Sequence, residues 1–159
     1  MSGDPLAHPE RLIRQVYSYV AYRVGAGSEA EDLTSETFER ALRYRDSFDP
    51  RKGSPLAWLL GIARSTVAGR RLRVHAELDA EAAAGADEIE ERGAARLDLQ
   101  AALARLDERD RELISLRYGA DLSSKQIGEL LGLEPGAVDV SLHRARSRLR
   151  AALGEAERV

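Results

Sequence analysis

The sequence predicts an all-α protein made of two small helical domains joined by an acidic linker. Three observations carry this. Leu and Ala dominate a chain of 159 residues in which aromatics are 5%, a composition that favours helices over sheets. Apolar residues recur at helical spacing in the stretches on either side of residues 75–96. That stretch itself is acidic and Ala-rich, has no wide apolar stripe, and cannot bury enough to fold alone. The expected division is therefore a first domain over 5–74, a linker over 75–96 that can be partly helical, and a second domain over 97–153.

Pro9 opens the first helix, because proline is tolerated at the first helical position. Leu12, Ile13, Val16, Tyr17 and Val20 form its apolar stripe, and Gly25 and Gly27 end it. Ser28 with Glu31 reads as a capping box for the second helix. Its expected buried stripe is Ala30, Leu33, Thr34, Thr37, Phe38, Ala41 and Leu42. Arg43 to Ser54 contains Pro50 and Gly53 and reads as an ordered loop. Ser54-Pro55 then supplies an N-cap and a first-turn proline. The third helix starts apolar almost all round (PLAWLLGIA), so it is buried on more than one side, and ends basic.

In the second domain Leu99, Leu103 and Leu106 mark one helix. Asp107 caps the next, which Gly119 stops. Ser123 and Gln126 give a capping box to SKQIGELL, which ends at Gly132. The last helix begins after Glu134-Pro135. It presents Val138, Leu142, Ala145 and Leu149 inward and Arg144, Arg146, Arg148 and Arg150 outward. Two short helices joined by a tight Gly-containing turn, the second basic outside, describe a helix-turn-helix over about 123–148. Ile127, Leu130, Leu131, Val138 and Leu142 hold it together. The bland alternative is a helical hairpin with a solvated Arg-rich face.

Charge is uneven. Net charge is −3, which argues against a free-standing DNA binder. Yet Arg45 to Arg73 holds seven basic and two acidic residues, and Glu77 to Glu91 holds seven acids and no base. Basic blocks flank an acidic connector. The chain has no cysteine, which excludes a disulfide scaffold, a zinc-thiolate site and a thiol nucleophile. His8, His75 and His143 lie apart with no ligand spacing, and no phosphate loop or nucleophile motif occurs. No enzyme, cofactor or metal site is expected. No apolar run nears the ~20 residues of a membrane span and no signal peptide opens the chain, so a cytoplasmic protein without membrane insertion is expected.

The segment LARLDERDRELISLRYGADLSSKQIGELLGLEPGAVDVSLHRARSRLR resembles region 4 of bacterial RNA polymerase sigma factors, and is most similar to their extracytoplasmic-function group. EAEDLTSETFERALRYRDSFDPRKGSPLAWLLGIARSTVAGRRLR resembles region 2 of the same group. The resemblance implies a promoter-specificity subunit that partners the core polymerase (clamp coiled coil and flap), promoter DNA and an anti-sigma factor. It implies that Asp32, Ser35 and Glu36 dock on the clamp, where the family usually has Gln at the position of Ser35. The alternative is a solvated acidic face. It implies that Phe48, Asp49, Arg51, Lys52, Ser54, Arg64, Ser65, Arg70, Arg71 and Arg73 form a cationic track and loop for the melted minus-ten strand. Phe48 can equally anchor the loop, Trp58 reads as core, and Ser65 replaces an Asn common in the family. The connector is either a nucleic-acid mimic in a basic channel or a solvated tether.

For the minus-35 element the resemblance implies Lys125, Gln126, Ala137, Asp139, Val140, Ser141, Arg144 and Arg148. The family often reads Gly-Thr-Val-Lys-Ser-Arg where this chain has Gly136, Ala137, Val138, Asp139, Val140 and Ser141. Three explanations of Asp139 compete. In altered readout, the carboxylate accepts from cytosine N4 and Val140 touches a thymine methyl. In a structural role, the acid interacts with the helix dipole, worth ~0.3–1 kcal/mol, and with His143. The third is weakened DNA binding. Altered readout is favoured, because Lys125, Arg144 and Arg148 still supply phosphate contacts. The rival functions are a helix-turn-helix regulator that acts without core docking and a degenerate sigma-like protein held by an anti-sigma partner.

Overall fold

The structure, a computed structural model, describes residues 3–78 and 94–157. Among the described residues there are seven α-helices and no strand: α1 Pro9–Val24, α2 Ser28–Arg43, α3 Pro55–Leu78, α4 Ala94–Arg105, α5 Glu108–Ile114, α6 Ser124–Leu131 and α7 Pro135–Glu157. A 3-10 turn, Arg45–Ser47, sits in the loop before α3, and a π-turn, Ser115–Gly119, continues α5.

In the first half, α1, α2 and α3 pack around one another. Of the expected stripe of α1, Val16 and Val20 are buried and Leu12 and Tyr17 half-buried against the core; Tyr19 and Arg23 join them, and Ile13 is 43% exposed. The reason is that α1 has two neighbours. It packs on α2 and α3 and also on the π-turn after α5, so the face between them, with Tyr19 at its centre, is the one desolvated. α2 buries Ala30, Leu33, Thr34, Thr37 and Ala41 as expected, but Leu42 is 57% exposed. The two buried threonines satisfy their hydroxyls on carbonyls one turn back, Thr34 on Ala30 O and Thr37 on Leu33 O, both at 2.7 Å. The expected Ser28 cap is not formed. Gly27, at φ 138°, occupies the N-cap, no side chain bonds the first turn, and the Gly27 N–H donates to the Tyr17 hydroxyl at 3.3 Å. At α3 the expected cap is present: Ser54 Oγ accepts from the Ala57 N–H at 3.1 Å.

α3 runs on to Leu78 and α4 starts at Ala94, so helix enters both ends of the expected 75–96 linker. Arg70 to Leu78 contains no Gly or Pro, and nothing in it stops a helix. The acidic middle, 79–93, lies outside the described residues.

In the second half Asp107 Oδ1 accepts from the Asp110 N–H at 2.8 Å and starts α5. Gly119 does not end this helix by a left-handed turn; the left-handed residue is Asp121, at φ 59°. Glycine is required at 119 because the π-turn lies directly on α1. A Cβ there would stand 2.9 Å from Tyr19 Cα and 3.0 Å from Ser18 O.

The two halves are not independent bodies. Val16, Tyr19, Val20, Leu59 and Val67 from the first half form one continuous buried cluster with Leu113, Leu116, Ile127, Val138 and Leu142 from the second. A smaller cluster, Leu103, Leu106, Ile114 and Ala145, gathers under α4 and α7. The two helical units expected from the sequence are present, and their buried faces meet in one core. The sharing follows from the small size of each unit, which leaves an apolar face that only the other can cover.

Candidate nucleic-acid interface

The helix-turn-helix forms as its sequence dictates. Ser123 Oγ accepts from the Gln126 N–H at 3.2 Å, and Gln126 Oε1 accepts from the Ser123 N–H at 2.8 Å. Gly132 closes α6 in the left-handed conformation at φ 71°, and the Leu133 N–H donates to Gly128 O at 2.9 Å. With Val138, Leu142 and Ala145 buried, α7 turns Ala137, Asp139, Val140, Arg144 and Arg148 to solvent, with Ser141 half-buried. Lys125 and Gln126 are exposed on the adjacent α6. Val140 is 52% exposed, an apolar side chain held outward on an otherwise polar surface.

Asp139 has a partner within the fold: the Ser124 hydroxyl donates to its Oδ1. This joins the first turn of α6 to the second turn of α7 and fixes the carboxylate while leaving it exposed. Arg148 also has an internal partner. Its Nη1 donates to the buried Asp110 Oδ2 at 2.6 Å, and that hydrogen-bonded pairing holds the guanidinium even more firmly protonated. It therefore ties α7 to α5 as well as facing outward. Arg146 donates to the Tyr118 hydroxyl at 3.1 Å.

The loop before α3 is organised by its own residues. Phe48 meets Trp58 at 5.5 Å between ring centroids and 60° between planes, so Phe48 anchors the loop on α3. Asp49 accepts from the Arg51 N–H and Nε at 3.0 and 3.1 Å, and these hydrogen bonds hold its carboxyl below the ordinary range. Arg51 and Lys52 are exposed at the tip. Beside the loop, Arg40, Tyr44, Trp58, Gly61 and Ser65 line an open groove of about 480 Å³ between α2 and α3. Sequence reasoning did not select Arg40 or Tyr44. The signal for Tyr44 was an aromatic ring at the end of a helix with no apolar stripe left to join, and it is 55% exposed.

Other expected track residues lie elsewhere. Arg64 donates from Nε to Glu112 Oε1 at 2.7 Å, and Arg71 pairs with Glu108; both acids belong to α5. Arg70 has a buried Nε without a hydrogen-bond partner. Arg73 is exposed, 3.9 Å from Glu36. On α2, Asp32 and Ser35 are exposed, whereas Glu36 is held by Arg40 at 3.0 Å. Glu39, four residues after Ser35, is exposed and extends the Asp32–Ser35 face.

Glu112 is the hub between the halves and was not selected from the sequence. It is 14% exposed, and its Oε2 accepts from the Tyr19 hydroxyl at 2.7 Å and lies 3.1 Å from Arg23 Nε. The Arg23 contact is an ion pair without hydrogen-bond alignment. Burial first, and the neighbouring Glu112 carboxylate second, hold the Tyr19 phenol well above its ordinary 10.0. A folded value above the unfolded one means the stability from Tyr19 is fully present below about pH 10 and is lost as pH rises through the folded value. Tyr19→Phe is expected to lower stability by about 1.5 kcal/mol at neutral pH and to flatten the alkaline decline, as read by thermal melts at stepped pH.

Among the described residues no group of His, Asp and Glu could hold a metal, and no helix is long and apolar enough to cross a membrane. The sigma-70 region 2 model matches residues 10–75 and the sigma-70 region 4 model matches residues 96–149. RNA polymerase sigma factor CarQ of Myxococcus xanthus is 33% identical over 150 residues, covering 90% of this chain and 85% of CarQ. The ECF RNA polymerase sigma factor BldN of Streptomyces coelicolor is 36% identical over 142 residues, covering 82% of this chain and 53% of BldN, so the chain spans about half of that relative. The solved complex of CnrH with the cytosolic domain of CnrY aligns with a TM-score of 0.62 at 27% identity, over 93% of this chain and 83% of that one.

Proposed function

Because the chain belongs to the extracytoplasmic-function group of the sigma-70 family, we propose that it directs RNA polymerase core to particular promoters and starts transcription there. The observation that carries the reading is the pairing of an exposed acidic face on α2 with a formed helix-turn-helix in one chain, since a simple DNA-binding regulator needs only the second. Asp32, Ser35 and Glu39 meet a basic helical surface of the core, and Glu36 steadies that face through Arg40. The groove of Arg40, Tyr44, Trp58 and Ser65 accepts a base splayed from the melted strand, and Arg51 and Lys52 attract its phosphates. The chain supplies no catalytic group; RNA synthesis belongs to the polymerase, and the protein acts in the cytoplasm where its template lies. CnrH was solved in complex with the cytosolic domain of CnrY, which supports a protein partner here, and the reading takes that partner to be of anti-sigma type.

At the minus-35 element α7 enters the major groove. Ser124 pre-orients Asp139, whose second oxygen accepts from a cytosine amino group, and Val140 contacts a thymine methyl. Lys125, Arg144 and Arg148 grip phosphates, with Ala137, Ser141 and Gln126 alongside. Run-off transcription with purified core on a genomic promoter library tests this. The wild type gives discrete start sites. Asp139→Ala changes the ranking of promoters, because a good base contact is worth ~1–3 kcal/mol of discrimination. Absence of core-dependent transcripts would overturn the function, and an unchanged ranking would overturn the readout.

A further inference from the structure

A second cavity, of about 320 Å³, lies among the end of α1, Arg71 of α3, one side of α4 and Arg111 of α5. Its wall carries Tyr22, Arg23, Arg71, Gln100, Leu103 and Arg111, and no acid is among its described lining residues. Three guanidiniums around one small space are costly, because burial strips their water and each repels the others. Burial first, and then the charges of Arg71 and Arg23, push Arg111 below the ordinary arginine range. Burial and then Arg23 do the same to Arg71.

The arginines are held from behind. Arg111 gives Nε and Nη2 to the carbonyls of Leu103, Ala104 and Leu106. Arg71 pairs with Glu108 and gives Nη2 to Arg23 O at 3.4 Å, and Arg23 gives Nη1 to Glu108 O at 3.2 Å. Glu108 and Glu112, the paired acids, lie outside the lining, and Glu112 is shared between Arg23 and Arg64. Asp107 and Glu29 act on Arg111 and Arg71 through charge alone. Donors are left over, since a guanidinium has five N–H groups. Among the described residues Arg111 Nη1 makes no hydrogen bond. Arg23 is 8% exposed, and its Nε stands 3.1 Å from Glu112 without hydrogen-bond alignment.

We propose that this cavity binds a small phosphate-bearing anion, with Arg23, Arg71 and Arg111 as its ligands, Gln100 alongside, and Tyr22 and Leu103 covering its apolar part. A phosphate suits three cations better than a carboxylate does. It carries close to two charges and three strong acceptor oxygens, and guanidinium forks match its geometry. The cavity is at the small end of ligand pockets, which run from ~300 to ~1,000 Å³, so a diphosphate or a mononucleotide fits its scale. Its wall draws on both halves of the chain, so an occupied site adds its binding free energy to the stability of the fold.

The test is isothermal titration of the full chain at fixed ionic strength without divalent metal, with thermal melts alongside. The probes are sodium pyrophosphate, inorganic phosphate and ADP. At a hundredfold excess over Kd, a binding probe is expected to raise Tm by about 5–10 °C, and sodium chloride at the same ionic strength is not. Tighter binding of ADP than of pyrophosphate identifies a nucleotide, and the reverse identifies the inorganic anion; either supports the site. Ala104→Glu sets a carboxylate at the cavity wall from an exposed position of α4 and removes no arginine. It is expected to weaken binding at least ~tenfold, as is Arg71→Gln, which removes one charged donor. Ala104→Gln, of the same length without the charge, is expected to bind close to wild type. Equal losses in Ala104→Gln and Ala104→Glu overturn recognition by charge. Equal affinity in wild type, Ala104→Glu and Arg71→Gln puts the anion elsewhere and overturns the site. A melt response to all three probes no larger than that to sodium chloride overturns the proposal outright.

Discussion

Gly128→Ala is expected to destabilise the second half by about 1–3 kcal/mol, as overpacking of a tight core site does, and to abolish duplex recognition. A Cβ at this position would be driven into the carbonyl oxygen of Leu133. That carbonyl is backbone, in the turn that sets α7 against α6, so the strain is relieved only by moving the turn. The Leu133 N–H bond to Gly128 O would break with it. Displacing α7 moves Asp139 from Ser124 and shifts Val140, so readout fails even where the helices survive. Thermal melts should show a fall of several degrees, at ~2–4 °C per kcal/mol for a cooperative unit of this size, and the same protein should lose minus-35-dependent run-off transcripts. A folded variant with normal promoter ranking would show that the turn has slack.

Arg111→Lys is expected to cost about 2–3 kcal/mol, more than a conservative exchange suggests. The guanidinium reaches back across the α4–α5 turn. Its Nε donates to Leu103 O at 2.9 Å, and Nη2 donates to Ala104 O at 2.9 Å and to Leu106 O at 3.0 Å. These are carbonyls at a helix C-terminus, where acceptors lack intrahelical partners. Three acceptors shared between Nε and Nη2 suit a rigid fork and not a single ammonium point. Hydrogen bonds from a charged group are worth ~1.5–3 kcal/mol each, and they share one side chain, so the total is well below their sum. Chemical denaturation compared across wild type, Arg111→Lys and Arg111→Ala checks this: lysine should recover less than half of the alanine loss.

What could be seen from the sequence was mostly local. The Ser123–Gln126 capping box, the Asp107 and Ser54 caps, the Gly132 stop and the inward Val138–Leu142–Ala145 stripe all depend on residues within a turn or two, and the structure has each of them. What escaped depends on distant partners. Tyr19 and Glu112 are 93 residues apart, and Arg64 and Glu112 are 48 apart. No periodicity reveals such pairs, so Tyr19 and Arg23 were missing from the expected face of α1, Ile13 was placed inward, and the basic face of α3 was taken as open. Gly119 carried a correct signal with the wrong cause. A glycine after a helix usually marks a left-handed turn, and here it marks another backbone pressed close. Ser28 failed as a cap for a similar reason, since Gly27, one residue earlier, already turns the chain into α2. For the nucleic-acid interface, the outward positions of α7 followed from its buried stripe. The bond from Ser124 to Asp139 crosses between helices and did not.

The continuous core also makes the chain a thermometer. The contact between the halves combines buried apolar surface with partly buried ion pairs. Hydrophobic attraction weakens on cooling, and the desolvation penalty of ion pairs grows as temperature falls. Both changes act in one direction. In the cold the halves are expected to hold each other less tightly.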